Sequence, residues 1–157
     1  SKYFAMTGWR IGYMLCDRSL MDPMMRLNFY NLSCPCTFIQ YAALAALRED
    51  DAPSRAMVEE YEKRRNYMVD ALNTLPGCSC LRPDGAFYIF VNITGTGMSG
   101  DEFCRVMIDE AGVSMTPGHV FGPMGKDFVR VSYANSMENL KLAISLMRGV
   151  LEKRVAG

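Results

Sequence analysis

The sequence predicts an α/β chain in which a small, largely antiparallel sheet packs against helices on one face. Three observations favour this class. Half of the 157 residues are hydrophobic, which is enough for a packed core. Short apolar runs bounded by turn residues recur in the second half, and segments with helical periodicity alternate with them. Consecutive strand-turn-strand signals favour antiparallel pairing, with the helices collected on one side of the sheet.

The first half of the chain is predicted to hold one strand and three helices. Residues 9–16 have the apolar composition of a short buried strand that ends at an aspartate. A short amphipathic helix is predicted within residues 17–31, and a second helix, rich in alanine, over residues 38–48. Ser54 is the predicted N-cap of a long helix that runs to about Leu75, where a proline and a glycine follow.

The second half is predicted to contribute the sheet and two further helices. Four strands are expected, over residues 78–81, 86–91, 113–116 and 127–134. The last has the clearest alternation, since Val129, Val131 and Tyr133 fall on one face. Ser99 begins a capping box that starts one helix, and Asn135 is the predicted cap of the final helix.

Charge, hydropathy and cysteine spacing argue against a nucleic-acid-binding protein, a membrane-spanning protein and a zinc site. Seventeen basic and seventeen acidic side chains cancel, so no basic stripe points to nucleic acid. No apolar run approaches the ~20 residues that a membrane span requires. The six cysteines and one histidine lack the usual zinc-ligand spacing, so we predict no metal site and reduced thiols. Because the chain begins at Ser1 rather than at methionine, we expect the C-terminal part of a longer protein. Reduced thiols favour an intracellular protein, so we expect the cytoplasm.

The start of the chain carries the first indication of chemistry. Residues 1–13 read Ser-Lys-Tyr-Phe-Ala-Met-Thr-Gly-Trp-Arg-Ile-Gly-Tyr, so Arg10 follows Lys2 by eight positions. A lysine amine forms an imine with an aldehyde, and a guanidinium holds a phosphate through two donors. Pyridoxal 5′-phosphate carries both groups. Taken singly, Lys2 would be a solvated lysine and Arg10 an arginine at a strand edge, paired with a surface carboxylate.

This stretch closely resembles the cofactor-lysine segment of the class I/II aminotransferases, which are fold-type I pyridoxal-phosphate enzymes. Other parts of the chain resemble the same family in the expected order, namely residues 33–44, 82–88, 117–122 and 128–134. The family's aspartate for the pyridine nitrogen is absent from this sequence. So are its tyrosine and asparagine for the phenolic oxygen and its glycine-rich phosphate turn.

The resemblance implies roles for four residues. Lys2 would hold the cofactor aldehyde as an imine and, once released, would move a proton at the substrate α-carbon. Arg10 would bind the cofactor phosphate, and the hydroxyl of Ser1 would assist. Arg130 would bind the substrate α-carboxylate with two hydrogen bonds. Without the resemblance, its position in a strand would favour a salt-bridged sheet arginine instead.

The resemblance also implies an organisation and an activity. Residues 1–32 would be the tail of a large cofactor domain, residues 33–75 an interface helix and a bridging helix, and residues 76–157 a small C-terminal domain. The protein would move an amino group from an amino acid to a 2-oxo acid as a homodimer of the aspartate-aminotransferase-like branch. Two alternatives stay open: a carbon–sulfur lyase or decarboxylase of the same fold, and a non-catalytic packing or dimerisation module.

Overall fold

The computed structural model of the chain describes residues 1–155 and confirms an α/β fold with a small antiparallel sheet. The α-helices are α1 (Arg18–Leu32), α2 (Thr37–Arg48), α3 (Ala52–Leu72), α4 (Gly100–Ala111) and α5 (Met137–Val155). The strands are β1 (Ser79–Cys80), β2 (Tyr88–Asn92), β3 (Thr116–Pro117) and β4 (Phe128–Ser132). The chain divides into two compact units at Val58, within α3.

The first unit contains α1, α2 and the beginning of α3. Asp17 caps α1, because its carboxylate accepts hydrogen bonds from the backbone N–H of Ser19 at 2.9 Å and from the Ser19 hydroxyl at 2.6 Å. These two bonds lower the pKa of Asp17. Neither α1 nor α2 contains a buried residue, so the apolar side chains of both helices are accessible.

The predicted strand over residues 9–16 is wrong. A 3₁₀ helix, Thr7–Trp9, ends with Arg10 in the left-handed region at a φ of 52°, and the residues up to Cys16 join no strand pair in the described chain. A strand requires a second strand to exchange backbone hydrogen bonds with it. An apolar run alone cannot provide that partner.

The long helix α3 begins and ends earlier than predicted. Its first residue is Ala52, whose backbone N–H donates to the carboxylate of Asp50 at 3.1 Å. Pro53 therefore lies in the first turn, where its missing N–H costs nothing. Ser54 is buried within the helix and is not its cap. The helix stops at Leu72, before the predicted end.

The second unit is built on a sheet with the strand order β1-β2-β4-β3, in which every neighbouring pair is antiparallel. In the central pair, Ile89 lies opposite Val131 and Phe90 opposite Arg130. Because side chains alternate along a strand, this register gives the sheet two different faces. One face carries aliphatic residues and the other carries Arg130 with several aromatic rings.

The aliphatic face packs against the helices, as predicted. Its members Ile89, Val91, Val129 and Val131 are all at most 7% exposed. They form one hydrophobic core with residues of α3, α4 and α5, including Leu72, Phe103, Met107, Ile144 and Leu151. Within residues 1–155, the helices therefore cover the aliphatic face, and the Arg130 face is left to other parts of the chain and to ligands.

Two caps fix the ends of the core helices. Ser99 caps α4 as predicted, since its hydroxyl accepts from the backbone N–H of Glu102 at 3.3 Å. For α5 the predicted cap is wrong by one residue. Ser136, and not Asn135, accepts from the backbone N–H of Asn139 at 3.2 Å.

Across residues 1–155, none of the helices combines the length and the apolarity needed to cross a membrane.

Candidate active site

The first group of candidate residues lies in a turn-rich segment of the first unit. The carbonyl of Ser1 accepts from the N–H of Met6 at 2.7 Å, and that of Lys2 accepts from the N–H of Ala5 at 3.1 Å. The guanidinium of Arg10 folds back and donates to the carbonyl of Thr7 at 3.1 Å. Local hydrogen bonds therefore hold Ser1, Lys2 and Arg10 within one short segment.

This segment has an unbalanced charge. Lys2 and Arg10 are the charged side chains among residues 1–16, and the first acidic residue is Asp17. Both are exposed. Within residues 1–155, no carboxylate lies within 4 Å of either cation. An amine and a guanidinium without acidic neighbours suit a ligand with an aldehyde and a phosphate, so these residues fit pyridoxal 5′-phosphate.

An apolar groove of about 590 Å³ lies beside this segment, still within the first unit. Ser1 is part of its wall, together with Phe4 and Tyr13 from the same segment and with residues of α2. Lys2 and Arg10 are not part of the wall. The two cations therefore face solvent beside this groove.

The second group of candidate residues surrounds Arg130 in the second unit. Arg130 is half-buried in β4, where Phe90 of β2 and Thr116 of β3 are its neighbours across the strands. Its guanidinium carbon lies 4.3 Å from the centre of the Tyr88 ring and 4.4 Å from that of Phe121. Both distances are well inside the ~6 Å range of a cation–π contact.

Arg130 has no acidic partner within the part of the chain that the structure describes. No carboxylate there lies within 4 Å of its guanidinium. The alternative of a salt-bridged sheet arginine therefore finds no acidic partner among these residues. A half-buried guanidinium that is held by aromatic rings keeps its hydrogen-bond donors for another anion.

The loop that carries Phe121 is tightly closed. It contains two 3₁₀ helices, Gly118–Phe121 and Pro123–Gly125. The backbone at Gly118 crosses closely over that at Gly125. A Cβ atom added to Gly118 would lie 2.4 Å from the carbonyl oxygen of Gly125, so only glycine fits at this point. The Phe121 ring also meets the Phe90 ring edge-on, with their centres 5.6 Å apart. The backbone crossing and this ring contact together fix where Phe121 meets Arg130.

Sequence reasoning missed the contacts of Tyr88 and Phe121 with Arg130. For Tyr88 a signal existed, because it lies two residues before Phe90 and thus on the same face of β2. For Phe121 no periodic signal was available, since it projects from a loop. His119, in the same loop, is exposed, and its Nδ1 lies 3.5 Å from a carboxylate oxygen of Asp101.

Comparisons with known proteins identify the family of this chain. The family model for aminotransferase class I and II matches residues 1–146. Aromatic-amino-acid aminotransferase 2 of Thermococcus litoralis is 45% identical over 98% of this chain. The aspartate aminotransferase of Pyrococcus abyssi is 42% identical, also over 98% of it. The chain spans 40% of the length of each of these relatives.

The fold gives the same result. The crystal structure of the aromatic aminotransferase from Pyrococcus horikoshii OT3 matches with a TM-score of 0.90 and 41% identity, over 99% of this chain and 42% of that one. The predicted resemblance to fold-type I enzymes is therefore confirmed. From the family match, the sequence identities and the structural likeness, we conclude that this chain belongs to the class I and II aminotransferases.

Proposed function

We propose that this chain is the C-terminal segment of a pyridoxal-phosphate-dependent aminotransferase, which moves an amino group from an amino acid to a 2-oxo acid. One observation carries the proposal. Lys2, Arg10 and Arg130 are cations with no carboxylate within 4 Å in residues 1–155. By resemblance they match the residues with which the family binds cofactor and substrate. Two of the groups to be bound, the cofactor phosphate and the substrate carboxylate, are anions.

Lys2 and Arg10 would act on the cofactor side. Arg10 would hold the phosphate with paired donors, and the Ser1 hydroxyl would add one more hydrogen bond to it. When bound, pyridoxal phosphate supplies an electron sink that stabilises negative charge at the substrate α-carbon. The amine of Lys2 would accept the proton from that carbon and return it, as a general base and then a general acid.

Arg130 would act on the substrate side. A carboxylate can accept two parallel hydrogen bonds from the edge of a guanidinium, which fixes the orientation of the amino acid. The contacts with Tyr88 and Phe121 involve ring faces, so they consume none of the donors of Arg130. They would also keep water away from part of the guanidinium, which strengthens its attraction for an anion.

The organisation of the whole protein is part of the proposal. Residues 1–32 would end a large cofactor domain, residues 33–75 would form the interface and bridging helices, and residues 76–157 would form the small domain. A homodimer is supported by the exposed apolar side chains of α1 and α2, such as Phe29 at 64% and Phe38 at 64% exposure. The relatives named as aspartate and aromatic aminotransferases support the aspartate-like branch. Localisation in the cytoplasm stays a prediction.

The test is steady-state transamination by the full-length protein with Arg130→Gln. Loss of a charge-assisted, bidentate contact is expected to cost about 2–5 kcal/mol, which lowers kcat/KM at least ~30-fold. Arg105→Gln, on the exposed surface of α4, is the matched control and should retain the parental value. Equal values for Arg130→Gln and the parent would refute the carboxylate role. Product analysis separates this reaction from a lyase or decarboxylase, because only transamination couples amino transfer to 2-oxo acid formation.

A further inference from the structure

We propose that Tyr88 and Phe121 are positioning residues that orient the Arg130 guanidinium for the substrate carboxylate. This inference rests on the proposed function and adds two residues for which no such role was predicted from the sequence. Their rings lie 4.3 Å and 4.4 Å from the guanidinium carbon, and both come from different elements than Arg130 itself. Tyr88 lies on β2, and Phe121 lies in the 3₁₀ helix after β3.

The need for such residues follows from the side chain of arginine. Its guanidinium lies at the end of several rotatable bonds, and fixing them costs entropy on each binding event unless the folded protein has already done so. No acidic partner within residues 1–155 fixes the Arg130 side chain. Among these residues, the two aromatic contacts therefore remain as the specific restraint on its orientation.

The rings of Tyr88 and Phe121 pack in turn against other aromatic rings. The Phe121 ring packs edge-on against Phe90, and the Phe90 ring lies 6.1 Å from that of Phe128. The Tyr88 ring lies 4.5 Å from the ring of Phe87, which stacks on Tyr61 at 5.8 Å. Each ring that contacts Arg130 thus belongs to a short chain of aromatic contacts, which favours one position of the ring.

A ring contact restrains the guanidinium without occupying its donors. An acidic side chain would also orient Arg130, but it would neutralise the charge and compete with an incoming carboxylate. Aromatic faces attract the cation while the N–H groups at its edge remain available. This distinction explains why rings rather than carboxylates surround a substrate-binding arginine.

The inference is tested by double-mutant cycles on the full-length enzyme. Phe121→Leu and Tyr88→Leu should each raise the KM for the amino acid about 2- to 30-fold, the range of cation–π contacts, with kcat changed much less. The conservative variants Tyr88→Phe and Phe121→Tyr keep the rings and should retain the parental KM. In the Arg130→Gln background the leucine variants should have no further effect, because residues that act through Arg130 lose their influence with it.

A matched control is Tyr67→Leu, an aromatic-to-leucine change at a half-buried tyrosine of α3 that belongs to neither chain of ring contacts next to Arg130. Its effect should simply add to that of Arg130→Gln. If Phe121→Leu and Tyr88→Leu are also additive with Arg130→Gln, or if the ring-keeping variants are as impaired as the leucine variants, the positioning role is wrong. If Arg130→Gln itself leaves kcat/KM unchanged, the proposed function fails instead.

Discussion

The hydroxyl of Tyr133 donates a 2.9 Å hydrogen bond to the carbonyl of Ala86, which lies 47 residues earlier in the chain. The backbone N–H of Tyr133 also donates to the carbonyl of Phe87 at 3.0 Å. Tyr133 directly follows β4 and is 1% exposed, whereas Ala86 comes just before β2. These two hydrogen bonds therefore join β4, which carries Arg130, to β2, which carries Tyr88. They extend the contact between the strands beyond the last backbone pair of the sheet.

Tyr133→Phe should lower the free energy of unfolding by about 1–2 kcal/mol, because it removes the hydroxyl and leaves the Ala86 carbonyl without this donor. Urea denaturation measures the difference. The control Tyr67→Phe, at a half-buried tyrosine of α3, keeps its ring and should change the value by about 0.5 kcal/mol or less. If both variants lost the same free energy of unfolding, the hydrogen bond to Ala86 would not contribute specifically to stability.

Gly125→Ala should disrupt the loop that presents Phe121. Its new Cβ would lie 2.1 Å from the carbonyl oxygen of Gly118, so backbone must move. We expect a loss of about 1–3 kcal/mol in unfolding free energy, together with a higher KM for the amino acid. The control is Gly149→Ala in α5, where nothing lies within 4 Å of an added Cβ. This change should stabilise by about 0.5–1 kcal/mol, since alanine favours a helix. If Gly125→Ala were more stable than the parent, the backbone at Gly118 and Gly125 could not approach as closely as the structure shows.

Two cysteines should resist alkylation. Burial raises the pKa of Cys78 to about 11, with a further contribution from Cys80. Burial and then the Asp101 carboxylate raise the pKa of Cys104, also to about 11. At pH 8 both are almost wholly protonated, and the thiolate is the reactive form. Peptide mass spectrometry after iodoacetamide should find both unmodified in the folded protein and both modified in urea. Rapid labelling of either in the folded state would contradict its burial.

The same shifts predict a loss of stability in alkali. The folded-state pKa of Cys78 lies above its ordinary value of 9.0, so the folded protein holds this proton more tightly than the unfolded chain. The contribution is fully present below pH 9 and is lost as the pH rises toward 11. Unfolding free energies measured across this interval should fall less steeply in Cys78→Ala than in the parent. Identical slopes would show that Cys78 contributes nothing.

Local pattern predicted most of the second unit correctly. The alternation around Arg130 placed Val129, Val131 and Tyr133 in the core, and all three are buried. The Ser99 cap was also correct, because a hydroxyl bonded to an N–H three residues later depends only on neighbouring residues. Features set by a single segment could thus be predicted from the sequence.

Features that depend on distant partners could not be predicted. Residues 9–16 have the composition of a strand, but composition does not contain the second strand that would pair with them. Likewise, the contact between Phe121 and Arg130 depends on the loop crossing at Gly118, which no periodicity describes. The roles of Ser1, Lys2, Arg10 and Arg130 stay predictions that require experiments on the full-length protein.

Lys2 is proposed to be the residue to which pyridoxal phosphate attaches. Borohydride reduction of the full-length protein with its cofactor, followed by peptide mass spectrometry, tests this attachment. Reduction converts a lysine imine into a stable amine, so we expect a phosphopyridoxyl group on the peptide that contains Lys2, and none on it in Lys2→Ala. A phosphopyridoxyl group found on another lysine, with Lys2 unmodified, would show that Lys2 does not hold the cofactor.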